Sequence, residues 1–191
     1  MKEKLLMILF VLILGSILTT ALVGVNSFTA PKIEKNAVIK LKSSVLAALE
    51  IPFDIDSVEQ TFANNIKPVT TGDITYYISA NGDFALPYEG AGLWGPIKGI
   101  IAMNPDLARI SGLTIMQQEE TPGLGSRIAE DEYLAAFVGK QFTPVLEMVS
   151  PGKGGGNNQI DSISGATMSS KAFIDILNAE RERYTTALGG K

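Results

Sequence analysis

The sequence predicts an α+β domain whose mainly antiparallel sheet is flanked by helices, tethered by one N-terminal transmembrane helix. Three observations carry that prediction. An uncharged apolar stretch runs from Leu5 to Val25 behind Met1-Lys2-Glu3-Lys4. Short runs rich in β-branched and aromatic residues, joined by turn dipeptides, fill the middle of the chain. Apolar residues at helical spacing lie before and after them.

The first element is the anchor. From Leu5 to Val25 there are 21 residues, which as a helix reach roughly 30 Å, the hydrocarbon thickness of a bilayer. A secretory signal has an apolar region of only about 7 to 15 residues before a small-residue cleavage site. Phe28-Thr29-Ala30 matches such a site poorly. An uncleaved anchor over residues 1–25 and a soluble domain over 26–191 are therefore expected, ahead of a cleaved signal or a buried helix. Lys2 and Lys4 favour an inside N-terminus, although Lys32 and Lys35 follow the span closely. The reading is a single-pass protein of the inner or plasma membrane, its domain on the extracytoplasmic side.

Within the domain, Ile33, Val38, Ile39, Leu41, Val45, Leu46 and Leu49 predict an amphipathic helix from Lys32 to Ile51, stopped by Pro52. Val58 to Asn65 reads as a shorter helix. Ile74 to Ala80 and Phe84 to Tyr88 read as strands joined at Asn81-Gly82, a hairpin dipeptide. Ile97 to Met103 and Ile110 to Gln118 are two more, joined by Asn104-Pro105-Asp106. Glu130 to Val138 is helical by composition, Phe142 to Val149 and Ile160 to Ile163 are strands, and Met168 to Leu188 is a long helix. Its inner face is expected to use Ala172, Phe173, Ile176, Leu177 and Tyr184.

Composition excludes several chemistries. The 191 residues contain no Cys and no His, so there is no thiol nucleophile, no disulfide, no Ser-His-Asp triad and no His- or Cys-ligated metal. No metal site is expected. The net charge of −4 argues against nucleic-acid binding. Mean hydropathy is +0.20, and the excess lies in the anchor. Pro151 to Asn158 is a glycine-rich turn without the GK[ST] core of a phosphate-binding loop.

Three clusters remain as candidates. Asp161-Ser162-Ile163-Ser164-Gly165-Ala166-Thr167-Met168-Ser169-Ser170 leads into the last helix. Its small residues admit close approach, and the first helical amides favour an anion. Thr167 stands where its hydroxyl meets or joins a phosphate, and Lys171 lies one turn further along. Ordinary N-capping by Ser164 or Thr167 explains the same residues. Glu119-Glu120-Thr121-Pro122-Gly123-Leu124-Gly125 is a rigid turn presenting Leu124, or a plain surface turn. Gly90 to Pro96 holds the only Trp, Trp94, among glycines, as a core residue or as the wall of a slot for a planar ring.

Their joint order is more specific than any one alone. G-L-W-G-P, then E-T-P-G-L-G, then D-x-x-S-G-A-T before a C-terminal helix, behind one N-terminal span, resembles the FMN-binding subunit family of membrane redox pumps. That family includes RnfG of the Rnf ferredoxin–NAD oxidoreductase and NqrC of the sodium-translocating NADH–quinone oxidoreductase. The resemblance implies FMN bound as a phosphoester on Thr167, installed by a separate flavin transferase. It implies that Asp161, Ser164, Gly165 and Ala166 complete the attachment motif. Glu120, Thr121, Gly123 and Leu124 match the loop at the flavin ring, and Leu93 and Trp94 match another part of the pocket. Many relatives carry His two residues before the motif Glu; here that residue is Gln118.

By resemblance the chain is an electron-relay subunit of a membrane ion-translocating oxidoreductase, dependent on other membrane subunits and without catalytic residues of its own. Its length points to the RnfG type, with NqrC as the alternative. A tethered phosphate-binding sensor and a stand-alone flavin reductase are the other readings of the same residues.

Overall fold

The computed structural model describes residues 2–142 and 144–188. The chain divides into two units, Met1–Ile39 and Lys40–Lys191.

The first unit is helical. Helix α1 spans Lys2–Ala48 and passes through Pro31 without a break, where the sequence suggests a separate helix beginning at Lys32. An interior proline removes one backbone donor and crowds the preceding turn, which is why it commonly ends or kinks a helix. Thr29 Oγ1 donates a further bond to the carbonyl of Val25 at 2.9 Å in the turn before it. Among the described residues this is the one helix long and apolar enough to cross a membrane.

The second unit begins with the end of α1. Its predicted amphipathic face is shorter than expected: Ile33 and Val38 are exposed, while Val45, Leu46 and Ala48 are buried. Helix α2 (Val58–Asn65) follows. Five strands then form an antiparallel meander in chain order: β1 (Ile66–Thr71), β2 (Ile74–Ser79), β3 (Phe84–Ala91), β4 (Pro96–Met103) and β5 (Ile110–Gln117). The sequence reading has no strand at β1, which carries Pro68. A sheet edge accepts such a residue, since half of its backbone groups face no partner strand.

Helix α3 is short (Asp131–Ala135), and α4 spans Thr167–Ala187. The expected strand Phe142–Val149 contracts to β6 (Glu147–Val149), which pairs in parallel with β7 (Gln159–Asp161). Thr143, inside the expected strand, lies outside the described residues.

Burial shows how the layers stack. β4 is buried continuously from Gly99 to Met103, as a strand covered on both faces must be. On one face Leu86, Tyr88, Ile97, Ile101 and Met103 share a core with Phe173, Ile174, Ile176 and Leu177 of α4. The expected inner face of α4 is therefore present, with Ala172 only half-buried. Tyr88 and Phe173 rings stand 5.9 Å apart, and Phe173 meets Phe137 at 5.4 Å. By strand alternation Ala85, Ile100 and Ala102 point to the opposite face. Phe62 of α2 packs edge-on against Tyr77 at 5.7 Å.

Candidate functional site

Three turns meet at the start of α4. The first is the tip of the β3–β4 hairpin, closed by the Gly92 N–H donating to the Gly95 carbonyl at 2.8 Å. A four-residue turn has no room to bury its central side chains, so Leu93 and Trp94 stand 50 % and 70 % exposed. The predicted ring-side tryptophan is thus a surface residue rather than a core one.

The second turn follows β5. The Thr121 carbonyl accepts the N–H groups of Leu124 and Ser126, both at 3.1 Å, and the Gly123 N–H donates to Ser126 Oγ at 3.0 Å. Leu124 is left exposed at the tip. Gln118 holds the approach, its Oε1 accepting the Glu120 N–H at 2.6 Å.

The third turn runs from β7 into α4. Gly165 adopts φ of +82°, and a Cβ there would be strained as well as 3.6 Å from Leu124 Cδ2. That approach brings the second and third turns together. Thr167, the first residue of α4, is exposed, and no side chain caps the helix. Capping by Ser164 or Thr167 therefore does not account for these residues. The first-turn amides and the positive end of the helix dipole remain available to an anion.

Leu93, Trp94, Thr121, Leu124, Gly125, Gly165, Ala166, Thr167, Met168 and Ser169 together line a cleft of about 390 Å³, within the roughly 300–1,000 Å³ of small-molecule sites. The other sequence candidates lie elsewhere. Ser164 and Gly123 are exposed on their turns beside the cleft. Lys171 Nζ pairs with Asp175 Oδ2 at 2.5 Å on the outer face of α4. Glu120 is buried behind the cleft.

Asp161 faces the glycine-rich turn, accepting the N–H groups of Lys153 at 3.0 Å and Gly154 at 2.7 Å. Desolvation opposes its charge, but the N–H groups of Gly154, Gly152 and Lys153, helped by Lys140, outweigh that and hold its carboxyl below the usual range.

Met168, Ser169 and Ser170 end the candidate segment, and the sequence assigns them no individual role. Ser169 and Ser170 are buried, and two adjacent serines entering an apolar helix are the one signal that marks them. Ser170 Oγ donates to the Ala166 carbonyl at 3.0 Å and accepts the Ile163 N–H at 3.1 Å, fastening the third turn. Nearby, burial raises the Tyr133 phenol above its ordinary value; the Ser170 hydroxyl opposes that shift and the Asp161 charge adds to it.

Residues 92–180 match the family model described as FMN-binding domain. The chain is 34% identical over 124 residues to the NqrC protein of the Na(+)-translocating NADH-quinone reductase of Vibrio vulnificus, covering 60% of this chain and 48% of that protein. With the corresponding protein of Neisseria meningitidis it shares 38% identity over 95 residues, 47% of this chain and 37% of the relative. The chain thus spans about half the length, or less, of these curated relatives. The crystal structure of the equivalent protein from Parabacteroides distasonis has the same fold, with a TM-score of 0.71, 24% identity, and coverage of 83% of this chain and 96% of that one. NqrC from Shewanella oneidensis superposes with a TM-score of 0.66 at 20% identity, covering 73% and 89%. These likenesses favour the NqrC-type alternative over the RnfG type suggested by chain length.

The residues present fit the group that the family model names. A flavin mononucleotide joins an anionic phosphate to a planar apolar ring. The cleft joins an uncapped helix start and an exposed hydroxyl to three exposed apolar side chains. The segment that builds the cleft matches the FMN-binding domain family over residues 92–180, and FMN is its cofactor.

Proposed function

We propose that this chain is an NqrC-type electron-relay subunit of a membrane-bound, Na⁺-translocating NADH–quinone reductase assembled from several subunits, carrying FMN as a phosphoester on Thr167. The observation that supports it most is the convergence of three sequence-distant turns on the exposed Thr167 at the mouth of α4. The NqrC relatives supply the type of complex.

In this reading the Thr167 oxygen carries the phosphate, and the first-turn amides of α4 offset its charge. Leu93, Trp94 and Leu124 present apolar surface to the ring, and the turns that hold them keep that surface in place. FMN, when bound, supplies the redox chemistry that the side chains here lack. A covalent tether retains a cofactor on the extracytoplasmic side, where a dissociated one is not readily replaced. It also leaves the cleft open for exchange with a partner protein. α1 anchors the domain through its apolar stretch, which contains no charged residue from Leu5 to Val25. A separate flavin transferase performs the attachment.

The test is the intact mass of the full chain after co-expression with a flavin transferase. The wild type gains one FMN residue, and Thr167→Ala does not. A colourless, unmodified wild type under those conditions would overturn the assignment.

A further inference from the structure

Glu120 is 4 % exposed, yet its carboxylate lines no part of the cleft. It joins all three turns from behind. Oε1 accepts the N–H of Leu93 at 2.7 Å and that of Trp94 at 3.3 Å. Oε2 accepts the Ser169 hydroxyl at 2.5 Å. Three donors point at this group.

The surroundings are fitted to that carboxylate. A Cβ on Gly92 would collide with Oε1. One on Gly125 would lie 2.5 Å from Ser169 Oγ and 2.9 Å from Glu120 Oε2. Gly92 and Gly125 thus leave space for Glu120 as well as shaping their turns. No cation pairs with this carboxylate among the described residues. Its charge is therefore offset by hydrogen bonds alone and keeps much of its field in a water-poor setting.

We infer that Glu120 is a positioning residue, clamping the Leu93–Trp94 turn to the first turn of α4, and that its charge holds a flavin in the cleft at a lower reduction potential. The second half rests on the FMN reading above; the clamp does not. Reduction adds electrons, and a fixed anion behind the cleft disfavours that addition.

Two variants separate geometry from charge. Glu120→Gln keeps an oxygen for Leu93 and Trp94 and removes the charge. Glu120→Ala removes both. Trp94 is the only tryptophan, so time-resolved fluorescence anisotropy of the flavin-free full chain in detergent reports the turn directly. Fast local depolarisation rises in Glu120→Ala and stays near wild type in Glu120→Gln. Ser169→Ala, which cuts the tie at its α4 end, gives a smaller rise and decides the matter if Glu120→Ala does not fold. In flavin-loaded protein, redox titration gives a more positive potential for Glu120→Gln than for wild type. Unchanged Trp94 depolarisation in a folded Glu120→Ala or Ser169→Ala would overturn the clamp. An unchanged potential in Glu120→Gln would overturn the electrostatic role. If the wild type takes up no flavin, the FMN reading and the electrostatic role fall together, while the anisotropy still decides the clamp.

Discussion

The backbone N–H of Ile163 donates to Ser170 Oγ at 3.1 Å, tying the end of one turn to the helix that follows it. The same hydroxyl donates to the Ala166 carbonyl at 3.0 Å and is fully buried. One side chain thus satisfies both ends of the segment bearing Ser164 and Gly165. Ser170→Ala leaves the Ile163 N–H unpaired in the core, at a cost of about 1–3 kcal/mol. The expected result is a lower melting temperature by circular dichroism and slower flavin attachment in a mass-spectrometric time course. An unchanged attachment rate would show that the turn keeps its shape without this bond.

Tyr184 makes a second long-range tie, its hydroxyl donating to the Pro87 carbonyl at 2.7 Å. It pins the far end of α4 to β3, away from the cleft. Burial, aided by the Glu180 charge, pushes the phenol far above its ordinary value, so the donor stays protonated through the working range. Tyr184→Phe is expected to lose about 1 kcal/mol, read as a lower denaturation midpoint, with flavin attachment unchanged. A loss of attachment would mean that α4 shifts as a whole when this bond is cut.

The strands β2 to β5 were legible because alternating residues and turn dipeptides are local signals. β1 was not read, and it carries Pro68, whose edge position only the assembled sheet reveals. The continuity of α1 through Pro31 is not a local signal either, because an interior proline commonly ends or kinks a helix. At the site, Thr167, Leu124 and Trp94 were visible as odd residues in odd places. Glu120 was visible too, but not its direction, because its partners are 27 and 49 residues away. Asp161 reads as part of an attachment motif, and in the fold its carboxylate also accepts the N–H groups of the glycine-rich turn. Such assignments depend on which way a side chain turns, which spacing alone does not specify.

Asp161 predicts an acid dependence. Its folded pKa lies below the ordinary value of 3.8, so the unfolded chain binds its proton first as pH falls. The stabilisation is fully present above the ordinary value and is lost as pH drops through the lowered one. Asp161→Asn is therefore less stable than wild type at neutral pH and loses less on acidification. Chemical denaturation at neutral pH and below pH about 4 checks this, the gap between the two proteins narrowing with acid. A constant gap would show that the N–H groups of Lys153 and Gly154 do not favour the charged form.

Lys171 tests how the phosphate end is held. The residue lies one turn into α4, close enough in sequence for a cation to meet an anion at the helix start. Its ammonium is instead paired with Asp175, both side chains more than half exposed (55% and 58%), and it contributes nothing to the cleft wall. Surface pairs of this spacing are worth about 0.3–0.5 kcal/mol, so neither stability nor binding depends much on it. The first-turn amides are fixed by the helix itself and need no side chain to present them. Lys171→Ala is thus expected to keep near-wild-type flavin attachment by intact mass and a nearly unchanged melting temperature. Complete loss of attachment would place the ammonium on the phosphate and show that the Asp175 pair opens when the cofactor arrives.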